Sequence, residues 1–225
     1  MTTAPADTQI DFPPTEHTRI KRLHQRAHYD RETVHAILDA GLICHIGYVI
    51  DGQPYVTPTM YWRHEDRVYW HGSSASKMLR HLQSGPRISF TVALMDGLVL
   101  ARSGFHSSVN YRTVMAYGNA ELVSDPAAKL TALEDMMERI VPGRWPDLKP
   151  PTPQELKATT VVSMELEEVA AKVRDGGAND EPEDIALDVW AGVVPVTTVL
   201  GAPIDNPDLR PGIAVPENLK QIRFG

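Results

Sequence analysis

The sequence DGLVLARSGFHSSVNYRTV, residues 96–114, joins two strand-like apolar runs through a dense series of polar side chains. The first run contains Leu98, Val99 and Leu100, and the second extends from residue 114 to residue 123. Surface loops tend to be rich in charge, glycine and proline, whereas this stretch is crowded with hydrogen-bond donors. Donors concentrated in this way between two strands predict a wall that holds a polar ligand. The side chains concerned are those of Arg102, Ser103, His106, Ser107, Ser108, Asn110, Tyr111, Arg112 and Thr113.

The composition of the 225-residue chain is that of a globular protein, with 42% hydrophobic and 23% charged residues. This length fits one sizeable domain. A net charge of -7 argues against a binder of nucleic acid or anionic membranes, because both need a basic surface. Cys44 is the single cysteine, so no internal disulfide can form. Because no apolar run has the length of a signal core or a membrane span, we expect a cytoplasmic protein.

Short β-forming runs joined by tight turns predict an antiparallel sheet. Residues 42–50 are rich in β-formers, and Asp51-Gly52 is a strong hairpin signal before a return strand at 55–62. Pro58 cannot donate to a strand ladder, so it indicates a bulge or an edge where backbone groups can meet a ligand. Four further strands are expected, at residues 67–71, 87–94, 114–123 and 158–166, with Asp96-Gly97 as a turn. Six strands with helices packed outside predict a mainly β, α+β fold, a small closed or split β-barrel.

Helical spacing and capping signals predict the helices. Residues 18–29 have apolar side chains at helical spacing and predict a basic helix with His24 and His28 on one face. These two histidines lack a third ligand at motif spacing, so we predict no metal site. Asp30 caps a short helix that ends at Gly41, and residues 152–155 form a capping box. A longer helix starts at Asp125-Pro126 and is expected to bury Leu130, Leu133, Met136, Met137 and Ile140.

A serine-rich segment precedes a short predicted helix in HGSSASKMLRHLQSG, residues 71–85. Unpaired N–H groups at a helix start, serine hydroxyls and Lys77 can together cradle a phosphate. Ordinary capping by Ser76 is the alternative, and the sequence leaves both interpretations open. The glycine and lysine spacing excludes a Walker-type loop.

Four blocks resemble one known family in the same order: GQPYVTPTMYW (52–62), HGSSASKMLRHL (71–82), residues 96–114, and KVRDGG (172–177) with EPEDIALDVWAGVVP (181–195). They are similar to the flavin-nucleotide-binding branch of the pyridoxamine 5'-phosphate oxidase-like family, which is related to nitroimidazole-reductase-type proteins. The resemblance extends from about residue 19 to residue 195. It implies a six-stranded antiparallel split β-barrel, a homodimer, and one FMN per protomer at the subunit interface.

The resemblance also implies a set of cofactor-binding residues. Beside the isoalloxazine ring it places Thr57, Pro58, Thr59 and Met60, and near the ribityl chain and phosphate it places His71, Ser76 and Lys77. At the far side of the site it places Ser107, Ser108, Asn110, Tyr111, Arg112 and Thr113, and Trp190 could cover the flavin from the partner chain. A phosphate dianion needs cations and donors, which Ser76, Lys77 and Arg112 supply. His71 is the candidate catalytic residue for proton handling, and a histidine satisfied at a strand end is the alternative.

The expected function is that of a homodimeric FMN-dependent oxidoreductase acting on a small organic substrate, such as a nitro compound or a quinone-like molecule. Two alternatives are a haem-binding or haem-handling split barrel and a flavin-binding module without turnover; a deazaflavin could also replace FMN. The chain ends in PENLKQIRFG, without the Arg- and His-bearing segment of pyridoxamine phosphate oxidases, which argues against that activity. We expect a flexible arm at residues 1–15, the FMN-binding domain at 16–200 and a surface tail at 201–225.

Overall fold

The computed structural model describes residues 10–224, which form one curled antiparallel sheet with helices outside it. Of the predicted N-terminal arm, residues 1–9 lie outside the described part, whereas Phe12 packs into the core. The helices within residues 10–224 are α1 Arg31–Ala40, α2 Lys77–Leu82, α3 Pro126–Ile140 and α4 Pro153–Ala158. The strands are β1 Ala27–His28, β2 Ile43–Ile50, β3 Gln53–His64, β4 Arg67–Ser73, β5 Arg87–Leu100, β6 Ser108–Asn119, β7 Glu121–Leu122, β8 Thr159–Glu165, β9 Glu168–Arg174 and β10 Gly192–Pro195.

The strand order is β1-β9-β6-β5-β2-β3-β4-β8-β7, and β10 pairs with the second half of β5. The predicted hairpin at Asp51-Gly52 is confirmed, because these residues have φ values of 51° and 79°, as a type I′ turn requires. Ile50 therefore pairs with Gln53, and this register continues to the pair of Ile43 and Met60. The six predicted strands are all present, and β1, β9 and β10 extend the sheet.

Large apolar side chains on the concave face of the sheet form the core. Tyr61, Trp70 and Phe90 are buried there, and the rings of Tyr61 and Phe90 meet edge to face at 5.2 Å. The sheet curls until β6 approaches β8, so that a Cβ on Gly118 would lie 2.8 Å from Cγ of Met164. This architecture is the predicted α+β split β-barrel.

The helix predicted at residues 18–29 is wrong. Leu23 takes a left-handed conformation with φ 55°, and only a short 3₁₀ turn follows at His24–Arg26. Ala27 and His28 form β1 by pairing with Lys172 and Ala171 of β9. Backbone pairing with a distant strand outweighs local periodicity here, because it also satisfies buried backbone groups. His24 and His28 consequently do not share a helical face.

Asp96-Gly97 does not form the predicted turn but lies within β5, where the pairing with β6 shifts register between Met95 and Gly97. The strand continues because Asp96 is hydrogen-bonded to Arg112 across the bulge. Gly97 fits beneath β10, where a Cβ would lie 3.1 Å from the carbonyl oxygen of Val194. The predicted second strand also starts earlier than expected, at Ser108, so most of the donor-rich series lies in a strand.

The cap of α3 is as predicted, with the Asp125 carboxylate accepting from the N–H of Ala128 at 2.8 Å. Its predicted buried face is only partly correct. Ala132 is the buried residue of this helix, Leu133 and Met136 are partly buried, and Leu130 is exposed. A helix that lies on the outside of a barrel contacts it along a narrow stripe, which helical spacing alone does not delimit.

Candidate functional site

The first half of β3 has one free edge. Residues 53–60 pair with β2 on one side, whereas β4 pairs with β3 only from Tyr61 to His64. On the other side of residues 53–60, no strand of the described chain supplies hydrogen-bonding partners. The prediction that Pro58 marks an edge is therefore confirmed. Alternate residues of an antiparallel strand direct their backbone groups to opposite sides, and Tyr61 donates its N–H to the carbonyl of Leu42 on the β2 side. The backbone of Met60 and the carbonyl of Pro58 therefore face the free edge and can bond a planar polar ligand, whereas the backbone groups of Thr57 and Thr59 face β2.

The side chains of these four residues point to both faces of the sheet. Partners across an antiparallel pair share a face, and successive residues alternate. Pro58 and Met60 lie with His45 and Ile43 on what we call the outer face, opposite the barrel core. Thr57 and Thr59 lie with the buried side chains of Ile46 and Cys44, on the core side.

Lys77 lies at the start of α2, within a cluster of side chains at the N-terminal end of β3. Its Nζ donates to Tyr55 Oη at 2.9 Å and lies 4.5 Å from the centroid of that ring. This hydrogen bond raises the pKa of Lys77, which is therefore a cation. Within residues 10–224 no carboxylate lies within ion-pair distance of it. We call the group the lysine cluster; its members are Tyr48, Tyr55, Thr57, Lys77 and His81.

The lysine cluster is linked by aromatic and hydrogen-bond contacts. The rings of Tyr48 and Tyr55 are stacked at 5.4 Å, and Tyr48 also contacts the His81 ring at 5.9 Å. Tyr48 Oη lies 3.1 Å from Thr57 Oγ1. Sequence reasoning missed the two tyrosines, although the two-residue hairpin already places them opposite each other. Ser76, predicted near the phosphate, caps α2 by accepting from the N–H of Leu79 at 3.4 Å.

His71 lies near the end of β4, opposite Val161 of β8. Its ring contacts Trp62 at 5.9 Å, and its Nδ1 is buried without a hydrogen-bond partner among the described residues. Within the described chain the histidine at this strand end thus lacks a partner for Nδ1. Burial lowers the pKa of His71, so the imidazole is neutral at pH 7. Carrying the register of Tyr61 and Trp70 one residue further places His71 opposite Met60, at the border of the outer face.

The second group of predicted residues, Ser107–Thr113, forms what we call the β6 wall. Many of its polar groups already have partners within the chain. Ser107 Oγ accepts from the N–H of Ala101 at 3.1 Å and donates to the carbonyl of Ser103 at 3.2 Å. Arg112 donates to the carboxylate of Asp96 through Nε at 2.9 Å and Nη2 at 2.7 Å. These contacts hold the wall in a fixed shape.

Asn110, Tyr111 and Thr113 complete the wall. Asn110 is buried, and its Oδ1 accepts a short hydrogen bond from Nη1 of Arg174 on β9. Tyr111 and Thr113 pair with Met95 and Ala93 of β5, on the outer face, and neither has a side-chain hydrogen bond within residues 10–224.

A single chain does not bring the two halves of the predicted site together. Between β3 and β6 lie β2 and β5, and one transverse row runs through Pro58, His45, Thr91 and Met115. Pro58 and Met115 are therefore separated by three strand spacings, or about 14 Å. Trp190, the remaining predicted residue, is 65% exposed and packs against Gly192, which starts β10.

The loop from Ala101 to Ser107 is braced by a contact that sequence reasoning missed. Asp180 accepts from the backbone N–H of Arg102 and from its Nη1, both at 2.7 Å. The Asp180 side chain is only 5% exposed, although the loop itself lies at the surface. No motif spacing points to this pair, since the two residues are far apart in the chain.

Residues 10–224 contain neither a metal-binding cluster nor a membrane-spanning helix. No three His, Cys, Asp or Glu side chains come together in a way that would hold a metal ion. None of the helices in this part of the chain is long and apolar enough to cross a membrane.

A family model for pyridoxamine 5'-phosphate oxidase matches residues 30–173, which include β2 to β8 and most of β9. The chain belongs to the pyridoxamine 5'-phosphate oxidase family. This region contains the free edge of β3, the lysine cluster, His71 and the β6 wall. No sequence match is found among curated proteins.

Solved structures of related proteins match more of the chain than the family model does. The flavocytochrome Anf3 from Azotobacter vinelandii is 43% identical, with a TM-score of 0.90 over 95% of this chain and 100% of its own. The FAD and haem binding protein from Mycobacterium smegmatis is 34% identical, with a TM-score of 0.85 over 88% of this chain and 98% of its own. A 5-nitroimidazole antibiotic resistance protein from Bacteroides thetaiotaomicron, 20% identical, shares the fold over 65% of this chain and 86% of its own, with a TM-score of 0.56.

Proposed function

We propose that this protein is a homodimeric redox protein that binds a flavin and a haem and reduces or oxidises a small organic substrate. The observation that carries the proposal is the 43% identity, over 95% of the chain, to a protein named as a flavocytochrome. The second similar protein is named for binding FAD and haem. A flavin exchanges hydride or single electrons and a haem exchanges single electrons, so the pair suits electron transfer.

The lysine cluster and the free edge of β3 fit a flavin. A flavin phosphate needs a cation, and Lys77 is a cation without a carboxylate partner in the described chain. The isoalloxazine ring carries donors and acceptors along one edge, which the carbonyl of Pro58 and the backbone of Met60 on the free edge can meet. FMN and FAD share this part of the molecule. The family resemblance favours FMN, and the protein from Mycobacterium smegmatis favours FAD.

His71 is a better candidate haem ligand than the histidines that already have a hydrogen-bond partner. An axial imidazole ligand must be neutral and must have a free nitrogen. His71 meets both requirements, and its neighbours Trp62 and Val161 are apolar. By contrast, His35 lies 2.8 Å from an Asp66 oxygen. We therefore propose His71 as an iron ligand, in competition with the proton-handling role that the sequence predicts.

The outer face of the sheet supports the proposed homodimer. Ile43 is 53% exposed, Val56 is 68% exposed and Met95 is 50% exposed, and all three lie on this face. Exposed apolar side chains on one face of a sheet favour its association with another protein surface. A second copy of the chain would also bring its β6 wall to the free edge of β3, where the flavin ring is proposed to bind. The flavin site would then be completed across the interface.

An absorption spectrum of the purified protein tests the proposal. We expect flavin bands and a Soret band, and chromatography of the released flavin identifies FMN, FAD or a deazaflavin. His71→Ala should lose the Soret band and keep the flavin bands. If His71 handles protons instead, the variant keeps both spectra and loses turnover. A wild-type protein that is colourless and takes up neither added flavin nor added haem would refute the proposal.

A further inference from the structure

The basic segment at residues 17–28, HTRIKRLHQRAH, has no role in the function proposed above. We call it the basic loop; it contains no Asp or Glu and four Lys or Arg residues, which are Arg19, Lys21, Arg22 and Arg26. Its formal charge is therefore +4, and since the whole chain has a net charge of -7, the remainder has -11. The first three cations are exposed, and Arg26 is half-buried. None of the four has a carboxylate within ion-pair distance in the part of the chain that the structure describes.

Backbone and side-chain hydrogen bonds brace the basic loop. Ile20 donates its N–H to Tyr29 Oη at 3.0 Å, and this hydroxyl donates to the carbonyl of Thr18 at 3.2 Å. The N–H of Arg26 donates to the carbonyl of Leu23 at 3.0 Å, and β1 follows directly. The cations therefore project from a loop of defined shape rather than from a free chain end.

Leu23 lies in the middle of the basic loop in a backbone conformation that a leucine rarely adopts. Its φ of 55° and ψ of 48° are left-handed, which is unfavourable for a side chain with a Cβ. The side chain is 36% exposed, and its neighbours in the sequence are Arg22 and His24. Strained backbone is concentrated at functional surfaces. An exposed apolar side chain among cations has the composition of a small protein interface, with an apolar centre and a charged rim.

Strand registers place the basic loop beside the β6 wall. Ala27 pairs with Lys172 of β9, and Lys172 pairs with Thr113 of the wall. Ala27 and Thr113 are thus two strand spacings apart, or about 10 Å. Lys172 lies between them and has no carboxylate within ion-pair distance among residues 10–224. The basic loop therefore borders the wall that is proposed to complete the flavin site.

The distribution of charge favours a small acidic protein as the partner of the basic loop. A nucleic acid or an anionic membrane presents negative charge over a long distance, and would also meet the remainder of the chain with its charge of -11. A small acidic protein can contact the basic loop alone. Redox partners associate through small interfaces, and opposite charges steer their encounter.

We infer that the basic loop is the docking surface for a small acidic protein that delivers single electrons. The inference rests on the proposed function, because the electrons pass to the bound flavin. The carrier protein loses one electron in each encounter, so two encounters and two protons from solvent reduce the flavin fully. Arg19, Lys21 and Arg22 steer the approach of the carrier, and Leu23 contacts its surface.

Stopped-flow mixing of the holoprotein with a reduced plant-type ferredoxin, an acidic iron–sulfur protein, tests the inference. The rate constant for the wild type should fall about tenfold or more between about 20 mM and about 200 mM salt, because salt screens the steering charges. At the lower salt concentration Lys21→Ala/Arg22→Ala should react about three- to tenfold more slowly. Lys157→Ala/Arg210→Ala removes two exposed cations from other parts of the surface and should match the wild type.

Leu23→Asn separates docking from folding. Asparagine adopts the left-handed conformation more readily than leucine, so the variant should unfold at the same or a higher urea concentration. Its Kd for oxidised ferredoxin, measured by calorimetry, should rise about three- to tenfold because an apolar contact is lost. The salt dependence should stay that of the wild type, since no charge changes. An unchanged Kd would reject the contact through Leu23.

Reduction by dithionite separates failure of this inference from failure of the proposed function. If oxidised ferredoxin docks on the basic loop of a protein that dithionite cannot reduce, the proposed function fails and the docking surface stands. If dithionite reduces the holoprotein but Lys21→Ala/Arg22→Ala reacts with ferredoxin as fast as the wild type, the inference is overturned. Equal slowing of both double variants would also overturn it, and so would binding of RNA or anionic vesicles through these cations at about 150 mM salt without binding of ferredoxin.

Discussion

Arg112 and Asp96 form a two-point ion pair, with Nε to Oδ2 at 2.9 Å and Nη2 to Oδ1 at 2.7 Å. This pair crosses the bulge of β5. It engages the guanidinium of Arg112, which the sequence assigns to a flavin phosphate. The pKa of Arg112 is raised by its hydrogen bonds to Asp96, so the cation is retained and neutralised by its partner. Lys77 has no such carboxylate among residues 10–224. The phosphate contact is therefore expected from Lys77 first.

Substitution of Lys77 by alanine should weaken flavin binding by about 1–3 kcal/mol, or about 5- to 150-fold in Kd, because a charge-assisted contact is lost. Titration with FMN and FAD measures the effect. Arg80→Ala is the matched control, since Arg80 is an exposed cation on the same helix. Lys77→Arg should retain most of the affinity. An unchanged Kd for Lys77→Ala would reject the phosphate contact.

Arg112→Ala should affect flavin binding less than Lys77→Ala does and should affect stability as much as Asp96→Ala. The pair is about one third exposed, so solvent screening limits its coupling energy to about 0.5–1 kcal/mol. A double-mutant cycle by urea unfolding measures this coupling. A loss of flavin affinity in Arg112→Ala that exceeds that of Lys77→Ala would show that Arg112 leaves Asp96 for the cofactor.

Acidification should destabilise the protein through His71. Burial lowers the pKa of His71 from its ordinary value of 6.5, so below that pH the unfolded chain binds a proton that the folded chain does not. Stability from this group is therefore complete above about pH 6.5 and decreases as the pH falls towards the folded pKa. Urea unfolding at about pH 7.5 and about pH 5 should show a smaller loss for His71→Gln than for the wild type. Equal losses would mean that the imidazole is accessible to protons in the folded state.

The buried hydroxyl of Tyr61 should contribute to stability. It donates to the carbonyl of Leu38, in the last turn of α1, at 2.6 Å, and the tyrosine is only 1% exposed. Tyr61→Phe leaves that carbonyl unsatisfied and should cost about 1–2 kcal/mol in the free energy of unfolding. Tyr69→Phe is the control, since the Tyr69 hydroxyl has no hydrogen bond within residues 10–224. Similar stabilities of the two variants would contradict this expectation.

A charge on the outer face should dissociate the proposed homodimer. Val56→Glu and Met95→Glu each place a carboxylate in the apolar surface, and burial of an unpaired charge is strongly unfavourable. Light scattering coupled to size exclusion should show half the wild-type mass. Ile204→Glu is the control, because Ile204 is 95% exposed and lies in the C-terminal tail. A wild type that is monomeric at all concentrations would exclude the dimer.

The sequence predicts the sheet better than it predicts the site. The Asp51-Gly52 hairpin, the edge at Pro58 and the caps at Asp125 and Thr152 depend on the local chemistry of a few neighbouring residues. The predicted helix at residues 18–29 fails because β9, far along the chain, pairs with Ala27 and His28. The turn at Asp96-Gly97 fails for a similar reason, since Arg112 and β10 hold that dipeptide in a strand.

By itself the sequence determined the fold class, the family and the positions of the blocks that make up the candidate site, because turn chemistry, strand composition and motif order are properties of neighbouring residues. Only the tertiary structure decided which charges are free. Lys77 has no acidic partner in the described chain, Arg112 is neutralised by Asp96, and Arg174 is buried among neutral oxygens. Such pairings join residues that are distant in sequence, and their geometry exists only after the sheet has curled.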